Sequence, residues 1–424
     1  MPTAPPIPRT SRIGFRWIIL ALICVGTTIN YMNRLVIGIM APNLKALYHI
    51  SDSQYGYITA AFSFSYAFGQ LGCGKFLDRI GTRIGYGLAL AGWSIAAMMT
   101  ALGRGALSFK LLRALLGVTE APGYPAAAKV CAEWFPRRQR AFAFGFVNAG
   151  CNMSAIIVAL LVPWLNFHYG WQAAFVVIGA MGLVLLAVWI PLYRSPQLHP
   201  LLAPSELALI ESDPPESTRR LSWLEVLSYR QSWVFVAGKF LTDAMWGFFI
   251  SFIPLILSGP PFHLGINEVG WPLVAIYLLA DLGSVSGGWL SSAMIHRGFT
   301  VNFSRKSTML MMATLALPMM ALPYVGTPMA AILILGLATA GHQGFSSNNY
   351  TLCSDLFPKS MVGVVSGLGG FFGYIGASIF ASFTGVWKEH TGNYVAPCIV
   401  ASLSYLISIL AIHLVSPRLT PVKI

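Results

Sequence analysis

A few charged residues lie inside stretches of the sequence that are otherwise apolar. Among them are Arg34, Arg113, Glu120, Asp243 and Asp281. A charge at the centre of a membrane-spanning helix costs about 2.5–3.5 kcal/mol on insertion scales, so such residues usually mark a path for a substrate or an ion. Two arginines together with carboxylates therefore indicate an anionic substrate and a coupled proton.

The two arginines suit the binding of a carboxylate. Tyr31 and Arg34 are three residues apart and so share one face of a helix. Arg113 and Glu120 are seven residues apart, which is two turns along a shared face. Arginine holds a carboxylate through a planar fork of N–H donors. We expect Tyr31 and both arginines to contact the substrate. The alternative is that the arginines make structural bonds to Glu120 or to helix carbonyls.

Glu120 is the best candidate for carrying the proton. Its protonation can change as a substrate carboxylate engages the nearby arginines, and the alternative is a permanent ion pair with Arg113. Lys239 and Asp243 are four residues apart, and the simpler interpretation is a pair that neutralises itself inside the protein. The functional interpretation makes Asp243 or Asp281 a helper of Glu120 on the proton path.

The elements that position these residues are membrane-spanning helices. Hydrophobic residues make up 56% of the chain and charged residues 10%, whereas a soluble domain is typically about 25% charged. Because a spanning helix needs about 20 residues, the composition and length predict an all-α membrane protein with 12 transmembrane helices. The predicted spans are residues 16–38, 55–76, 84–103, 107–128, 141–163, 171–193, 233–256, 270–294, 307–325, 328–350, 361–385 and 393–415.

Positive charge is distributed unevenly around these spans. The net charge is +13, but most Lys and Arg residues outside the spans fall on the side that holds both termini. This asymmetry is a sign of topology rather than of nucleic-acid binding, and it predicts cytoplasmic termini. A polar, proline-containing segment, residues 194–231, is the predicted cytoplasmic linker. It separates an N-terminal six-helix bundle, residues 1–193, from a C-terminal one, residues 232–424.

The connection between the second and third spans combines glycines with charges. The motif residues are Gly74, Asp78, Arg79, Gly81 and Arg83. They resemble the signature loop of the major facilitator superfamily, which implies conformational gating. In that role the glycine allows close helix contact, and Asp78 pairs with arginines to hold the outward-open packing. The alternative is an ordinary positively charged loop. The second half carries a weaker echo between residues 287 and 298, in which Ser292 replaces the aspartate.

Further motifs resemble the anion:cation symporter family and, within it, the hexuronate transporters. They are residues 30–34, 113–122, 132–136, 170–175, 238–243, 280–284 and 341–344. The likeness extends over roughly residues 15–420. It implies the major facilitator fold, with two six-helix bundles around a central cavity. It also implies proton-driven import of a sugar acid, such as galacturonate or glucuronate, by alternating access.

Asn33 departs from the pattern of this family. Many of its members carry an aspartate just before the arginine of the first span, and asparagine cannot titrate. The departure has three explanations. Coupling uses fewer carboxylates in this chain, another group has taken over, or the chain is an engineered variant.

A sugar acid also needs partners for its hydroxyl groups and its ring. Asn and Gln donate and accept hydrogen bonds as hydroxyls do, and aromatic rings can stack on a pyranose face. The candidates within predicted spans are Tyr66, Asn148, Asn152, Trp246, Gln343, Asn348 and Asn349. Gln343 and Asn348 are the stronger ones, because the polar run at residues 343–349 is long for a buried helix. For each residue the alternative is helix bridging or packing.

Other classes of function are not supported by the sequence. It has no nucleophile–histidine constellation, no metal-ligand spacing and no phosphate-binding loop. We therefore expect no enzyme activity, no metal and no cofactor, with the proton as the coupling ion. The expected partners are a small organic anion and the lipid bilayer, with no nucleic acid. We expect a monomer in a bacterial inner membrane.

Two alternative functions are also compatible with the sequence. One is a symporter for a different organic anion, namely an aldonate, an aldarate or an aromatic acid. The other is a membrane sensor that binds a sugar acid without moving it. The lack of a sizeable soluble signalling domain in the sequence argues against the sensor.

Overall fold

The computed structural model describes residues 14–212, 223–357 and 359–422. Within these residues the regular structure is helical, and no strand is present. Part of the predicted linker, residues 213–222, lies outside the described residues. So do residues 1–13 and 423–424, on which the prediction of cytoplasmic termini partly rests.

The N-terminal half begins and ends its helices at recognisable signals. Its helices are α1 (Phe15–Tyr48), α2 (Asp52–Ile80), α3 (Thr82–Thr100), α4 (Ala106–Glu120), α5 (Gly123–Trp134), α6 (Arg137–Tyr169) and α7 (Trp171–Leu192). Ser51 and Gln54 form a reciprocal capping box at the start of α2. Gly81, between α2 and α3, has a φ of 84°, a conformation that favours glycine. Pro122 separates α4 from α5.

The connecting segment and the C-terminal half contain the remaining helices. Two 3₁₀ helices cover Pro196–Leu198 and Leu317–Tyr324. The α-helices are α8 (Pro204–Ile210), α9 (Trp223–Leu227), α10 (Arg230–Ser258), α11 (Gly270–His296), α12 (Val301–Thr314), α13 (Pro328–Leu356), α14 (Lys359–Thr391) and α15 (Val395–Val415). The predicted linker falls between the end of α7 and the start of α10, but its boundaries as a domain division remain a prediction.

Nine helices of the described part of the chain are long and apolar enough to cross a membrane. The other three predicted spans, 55–76, 84–103 and 107–128, fall on α2, α3 and the α4–α5 pair. The helices also extend beyond the predicted spans, because an apolar window detects only the part of a helix inside the hydrocarbon. Helix α1, for example, continues to Tyr48.

The two ends of the helical bundle differ in what they carry. At one end the Glu206 carboxylate of α8 accepts hydrogen bonds from the backbone N–H groups of Phe15 and Arg16, at 2.9 and 3.2 Å. A carboxylate at this position stabilises the positive end of the α1 dipole. We call this the linker end, since it holds α8 and the starts of α1 and α10, and we call the opposite end the far end.

Glycines let the two halves approach closely at the far end. A Cβ atom added to Gly56 of α2 would lie 3.0 Å from the Cα of Gly385 in α14. A Cβ added to Gly270 of α11 would lie 2.6 Å from the carbonyl oxygen of Ala159 in α6. Small residues at such crossings are the usual means of close helix packing in membranes. Larger side chains at these glycines would therefore force the halves apart.

The far end is closed between the halves and the linker end is open. At the far end the Tyr55 hydroxyl of α2 donates to the Ser251 carbonyl of α10, at 2.8 Å. Toward the linker end, Gly74 of α2 and Gly363 of α14 face open space, with nothing within 4 Å of an added Cβ. The space between the halves therefore opens toward the linker end.

Candidate functional site

Arg34 of α1 is the centre of a buried polar cluster. Its Nε donates to Glu120 Oε2 of α4 at 2.9 Å, and its Nη2 donates to Asn30 Oδ1 at 2.9 Å. Its Nη1 donates to the Tyr374 hydroxyl of α14 at 2.6 Å. Arg34 is 6% exposed and Glu120 is fully buried. The cluster thus joins α1, α4 and α14, and it includes a residue from each half.

Aromatic rings surround the Arg34 guanidinium. Its central carbon lies 4.5 Å from the centroid of the Tyr31 ring and 4.4 Å from that of Tyr66. Both distances are within the range of cation–π attraction. The Tyr66 ring also packs against the Tyr374 ring, with centroids 4.3 Å apart. The structure therefore brings Tyr31, Tyr66, Arg34 and Glu120 together.

Arg113 of α4 lies beside this cluster without a carboxylate partner. Its Nη1 donates to the backbone carbonyl of Asn33 at 3.1 Å. Its Nε and Nη2 are buried and have no hydrogen-bond partner among the described residues. Glu120 pairs with Arg34 and not with Arg113, so helix packing rather than spacing along α4 decides the pair. A buried unpaired donor is costly, roughly 1–3 kcal/mol, which makes Arg113 a group that needs an anion or water.

A second polar cluster lies in the C-terminal half. Lys239 and Asp243 of α10 form an ion pair at 2.6 Å, and Lys239 Nζ also donates to the Tyr350 hydroxyl at 2.8 Å. Asp243 packs so closely on α14 that a Cβ at Gly373 would overlap its Oδ2 atom. Gly373 immediately precedes Tyr374, so α14 brings the two clusters next to each other.

The predicted hydroxyl-binding residues have diverse surroundings. Asn348 Nδ2 donates to the carbonyls of Gly287 and Gly344, both at 3.0 Å, and so bridges α13 to α11. Asn349 is buried against Gly238 of α10, and neither of its side-chain polar atoms has a partner among the described residues. Asn348 therefore bridges two helices, which is the alternative to hydroxyl binding that the sequence left open. Asn349 still has side-chain atoms that could bind a hydroxyl.

The remaining candidates line the region around these helices. The Trp246 ring stacks on His342, with centroids 5.0 Å apart and planes 8° apart, so one of its faces is covered. Asn148 accepts a hydrogen bond from the Tyr124 hydroxyl at 2.9 Å. Asn152, Gln343 and Asp281 are only partly exposed, and the structure does not connect them to Arg34 by a hydrogen bond.

The predicted gating loop is held within the N-terminal half. Asp78 pairs with Lys129 of α5 at 2.7 Å, and Arg83 Nη2 donates to the Ile190 carbonyl of α7 at 2.6 Å. Arg79 is exposed. In the second half, Arg305 donates to Ser291 at 2.8 Å and pairs with Asp355 at 2.9 Å. The second copy of the motif, residues 287–298, has Ser292 in place of the aspartate, and the Arg305–Asp355 pair lies beside it.

Tyr374 is a site residue that the sequence does not reveal. It carries no formal charge and lies in a glycine-rich stretch of α14, at residues 363–376. Neither its type nor its spacing distinguishes it from a packing residue. Only the approach of α14 to α1 puts its hydroxyl on Arg34.

Comparison with known proteins identifies the family. A model of the Major Facilitator Superfamily matches residues 23–381. The chain belongs to this superfamily. Its members are membrane transporters and not enzymes, so the chain is a multi-pass membrane protein of the transporter class. The family resemblance and the fold predicted from the sequence are confirmed.

Several curated relatives within the superfamily are transporters of sugar acids. The hexuronate transporter of Escherichia coli (strain K12) is 32% identical over 386 residues, 89% of each chain. The galacturonate transporter of Dickeya chrysanthemi is 32% identical over 300 residues, 69% of this chain and 86% of that protein. The D-galactonate transporter of Escherichia coli O6:H1 is 27% identical over 413 residues, 92% of this chain and 95% of that protein.

A solved structure shares the fold of this superfamily member. It is a bacterial homologue of the human lysosomal transporter Spinster, in an inward-facing and occupied conformation. The two structures align with a TM-score of 0.75, covering 96% of this chain and 98% of that one. At 18% sequence identity the similarity concerns the fold alone.

Proposed function

We propose that this protein imports a hexuronate, such as galacturonate or glucuronate, by proton symport with alternating access. The hexuronate and galacturonate transporters among its relatives support this choice of substrate. The observation that carries the proposal is the buried Arg34–Glu120 pair, because a carboxylate-binding group and a titratable group share one hydrogen bond. Binding of a substrate carboxylate and protonation of Glu120 then favour each other.

The charge of the buried cluster depends on the protonation of Glu120. Arg34, Arg113 and ionised Glu120 together carry one net positive charge, and Lys239 with Asp243 carries none. Protonation of Glu120 adds one positive charge, so a hexuronate, which has one carboxylate, leaves the net charge unchanged when it enters together with the proton. Asn33 contributes to this charge, because an ionised aspartate there would lower it by one. Burial of an unbalanced charge is strongly unfavourable, so joint entry of one carboxylate and one proton avoids that cost.

The residues take the following roles in this mechanism. Arg34 and Arg113 bind the carboxylate, with Tyr31 packed on Arg34. Glu120 carries the proton, and Asp243 or Asp281 assists. The hydroxyl groups and the ring are bound by residues among Tyr66, Asn148, Asn152, Trp246, Gln343, Asn348 and Asn349.

We also propose an orientation in the membrane and a gating role for the loop between α2 and α3. The linker end faces the cytoplasm of a bacterial cell, and both termini lie there, so the conformation described above is inward-facing. The protein works as a monomer in the inner membrane with no cofactor besides the proton. Gly74, Asp78, Arg79, Gly81 and Arg83 hold the linker end together when the far end opens. The halves rock around the central site.

Uptake by purified protein in liposomes tests the proposal. With an inward proton gradient, labelled galacturonate accumulates above its external concentration, and unlabelled glucuronate competes with it. Collapse of the gradient leaves exchange only. Exchange without any accumulation would contradict proton coupling. A lack of galacturonate transport would overturn the hexuronate assignment.

A second candidate substrate class is favoured by one observation. The relatives include transporters of D-galactonate and, as probable assignments, of galactarate and D-glucarate, at 27% identity. The same liposomes can be tested with these acids as competitors. Stronger competition by galactonate or galactarate than by glucuronate would move the assignment to an aldonate or an aldarate.

A further inference from the structure

Tyr374 connects the central arginine of the N-terminal half to the C-terminal half. Arg34 Nη1 donates to its hydroxyl at 2.6 Å, whereas the other described hydrogen-bond partners of Arg34 belong to α1 and α4. The Tyr374 ring packs on Tyr66 of α2 at 4.3 Å. The preceding residue, Gly373, packs on Asp243 of α10. Tyr374 therefore lies where the polar clusters of the two halves meet.

Only one edge of the Arg34 guanidinium is free of both Glu120 and Asn30 and so can accept a carboxylate. A bidentate carboxylate uses two neighbouring nitrogens, either Nε with Nη2 or Nη1 with Nη2. Glu120 and Asn30 occupy the edge formed by Nε and Nη2. The other edge includes Nη1, which Tyr374 occupies. A carboxylate that binds at this edge replaces the neutral Tyr374 hydroxyl and leaves the Glu120 carboxylate in place.

We infer that the Tyr374 hydroxyl occupies, in the empty protein, the position of a substrate carboxylate oxygen on Arg34. The inference rests on the proposed binding of a sugar acid at this arginine. An entering carboxylate displaces the phenol, since separating the buried Arg34–Glu120 pair costs far more than replacing a neutral acceptor. The phenol is replaced by an ionised acceptor, which makes a stronger bond to the guanidinium.

Displacement of Tyr374 has two consequences. Neutral sugars are rejected, because a hydroxyl offers Arg34 no better acceptor than the phenol that is already there. In addition, α14 loses its hydrogen bond to α1 at the moment the substrate binds. The substrate thereby weakens the contact between the halves. As a result, the protein changes conformation more readily with substrate bound than without it.

The Tyr374→Phe variant tests this inference, with Tyr86→Phe as the matched control. Tyr86 is a buried tyrosine of α3 whose hydroxyl has no partner among the described residues. Binding of galacturonate and of galactose is measured by calorimetry on purified protein, and Tm is measured with and without saturating galacturonate. We expect Tyr374→Phe to bind galacturonate about tenfold more tightly, which corresponds to about 1.4 kcal/mol, with no gain for galactose.

Thermal stability separates displacement from a purely structural role. Tyr374→Phe lowers the Tm of the empty protein, and saturating galacturonate removes this deficit because the bond is already broken in the complex. Tyr86→Phe changes neither galacturonate affinity nor the effect of galacturonate on Tm. Unchanged or weaker galacturonate binding by Tyr374→Phe would overturn the inference. An equal loss of Tm in the empty and loaded protein would overturn it as well.

The outcome is distinguishable from failure of the proposed function. If wild-type protein binds galactonate or galactarate but not galacturonate, the hexuronate assignment fails, and the Tyr374 comparison is made with the acid that binds. If wild-type protein binds galacturonate and Tyr374→Phe shows no gain, the inference alone fails. Binding of none of these acids by wild-type protein would contradict both.

Discussion

The two buried arginines differ in how well they are satisfied. Each nitrogen of the Arg34 guanidinium has a hydrogen-bond partner, whereas Arg113 has one described partner, the carbonyl of Asn33. The Asn33 side-chain amide nitrogen is itself buried without a partner. The donors around Arg113 therefore lack acceptors, and an anion or ordered water must supply them. At the residue scale, these unpaired donors support the proposed binding of an anionic substrate.

Replacement of Glu120 by glutamine separates binding from coupling. The Glu120→Gln side chain retains an oxygen that accepts from Arg34 but no longer titrates. We expect galacturonate exchange in liposomes to persist while accumulation driven by the proton gradient is lost. Glu268→Gln is the control, because Glu268 is an exposed carboxylate whose bond is to the Gly265 N–H in its own loop. Full accumulation by Glu120→Gln would show that another group carries the proton.

At the scale of the helices, contacts between helix ends hold the two halves together at the far end. The Glu389 carboxylate near the end of α14 accepts from the Ser51 hydroxyl at 2.6 Å and from the Ser53 N–H at 2.7 Å. Both donors belong to the start of α2, where the helix dipole favours an anion. These bonds join the halves at the far end, next to the Gly56–Gly385 contact. They are made only while that end is closed.

Loss of the Glu389 carboxylate is predicted to loosen the far end. Glu389→Gln is neutral and interacts more weakly with the start of α2, so the open far end becomes more populated. A cysteine at Ser251, which is 6% exposed in the far-end contact, reports this opening in a background without the six native cysteines. We expect a water-soluble thiol reagent to label Ser251→Cys severalfold faster when Glu389→Gln is present. An unchanged rate, equal to that with Glu268→Gln, would argue against the contact as a latch.

At the scale of the whole molecule, hydropathy and motifs were enough to predict the fold. The apolar composition and the regular spacing of apolar stretches gave a twelve-span membrane protein, because the bilayer imposes one length on every span. The motif from Gly74 to Arg83 gave the superfamily, which the match over residues 23–381 confirms. Helix ends were less predictable, as shown by α1, because helices continue beyond the hydrocarbon.

The sequence predicts the charged members of the candidate site, because charges inside apolar spans are rare enough to stand out. It does not decide how Arg34, Arg113 and Glu120 pair. The spacing within α4 allows Arg113 as the partner of Glu120, but the packing of α1 on α4 makes Arg34 the partner. Tyr374 approaches from a helix 340 positions along the chain. Contacts between distant helices depend on three-dimensional packing, which spacing along one helix does not contain.

Carboxylate binding at Arg34 is tested most directly by comparing galacturonate accumulation by wild-type protein and by Arg34→Lys in liposomes under the same inward proton gradient. Lysine keeps the positive charge but lacks the planar fork that binds a carboxylate, so we expect accumulation to fall at least about tenfold. Arg230→Lys is the control, since Arg230 is exposed at the start of α10 and its described hydrogen bond is to the Leu414 carbonyl, and it should accumulate galacturonate as wild type does. Accumulation by Arg34→Lys equal to wild type would contradict carboxylate binding at Arg34.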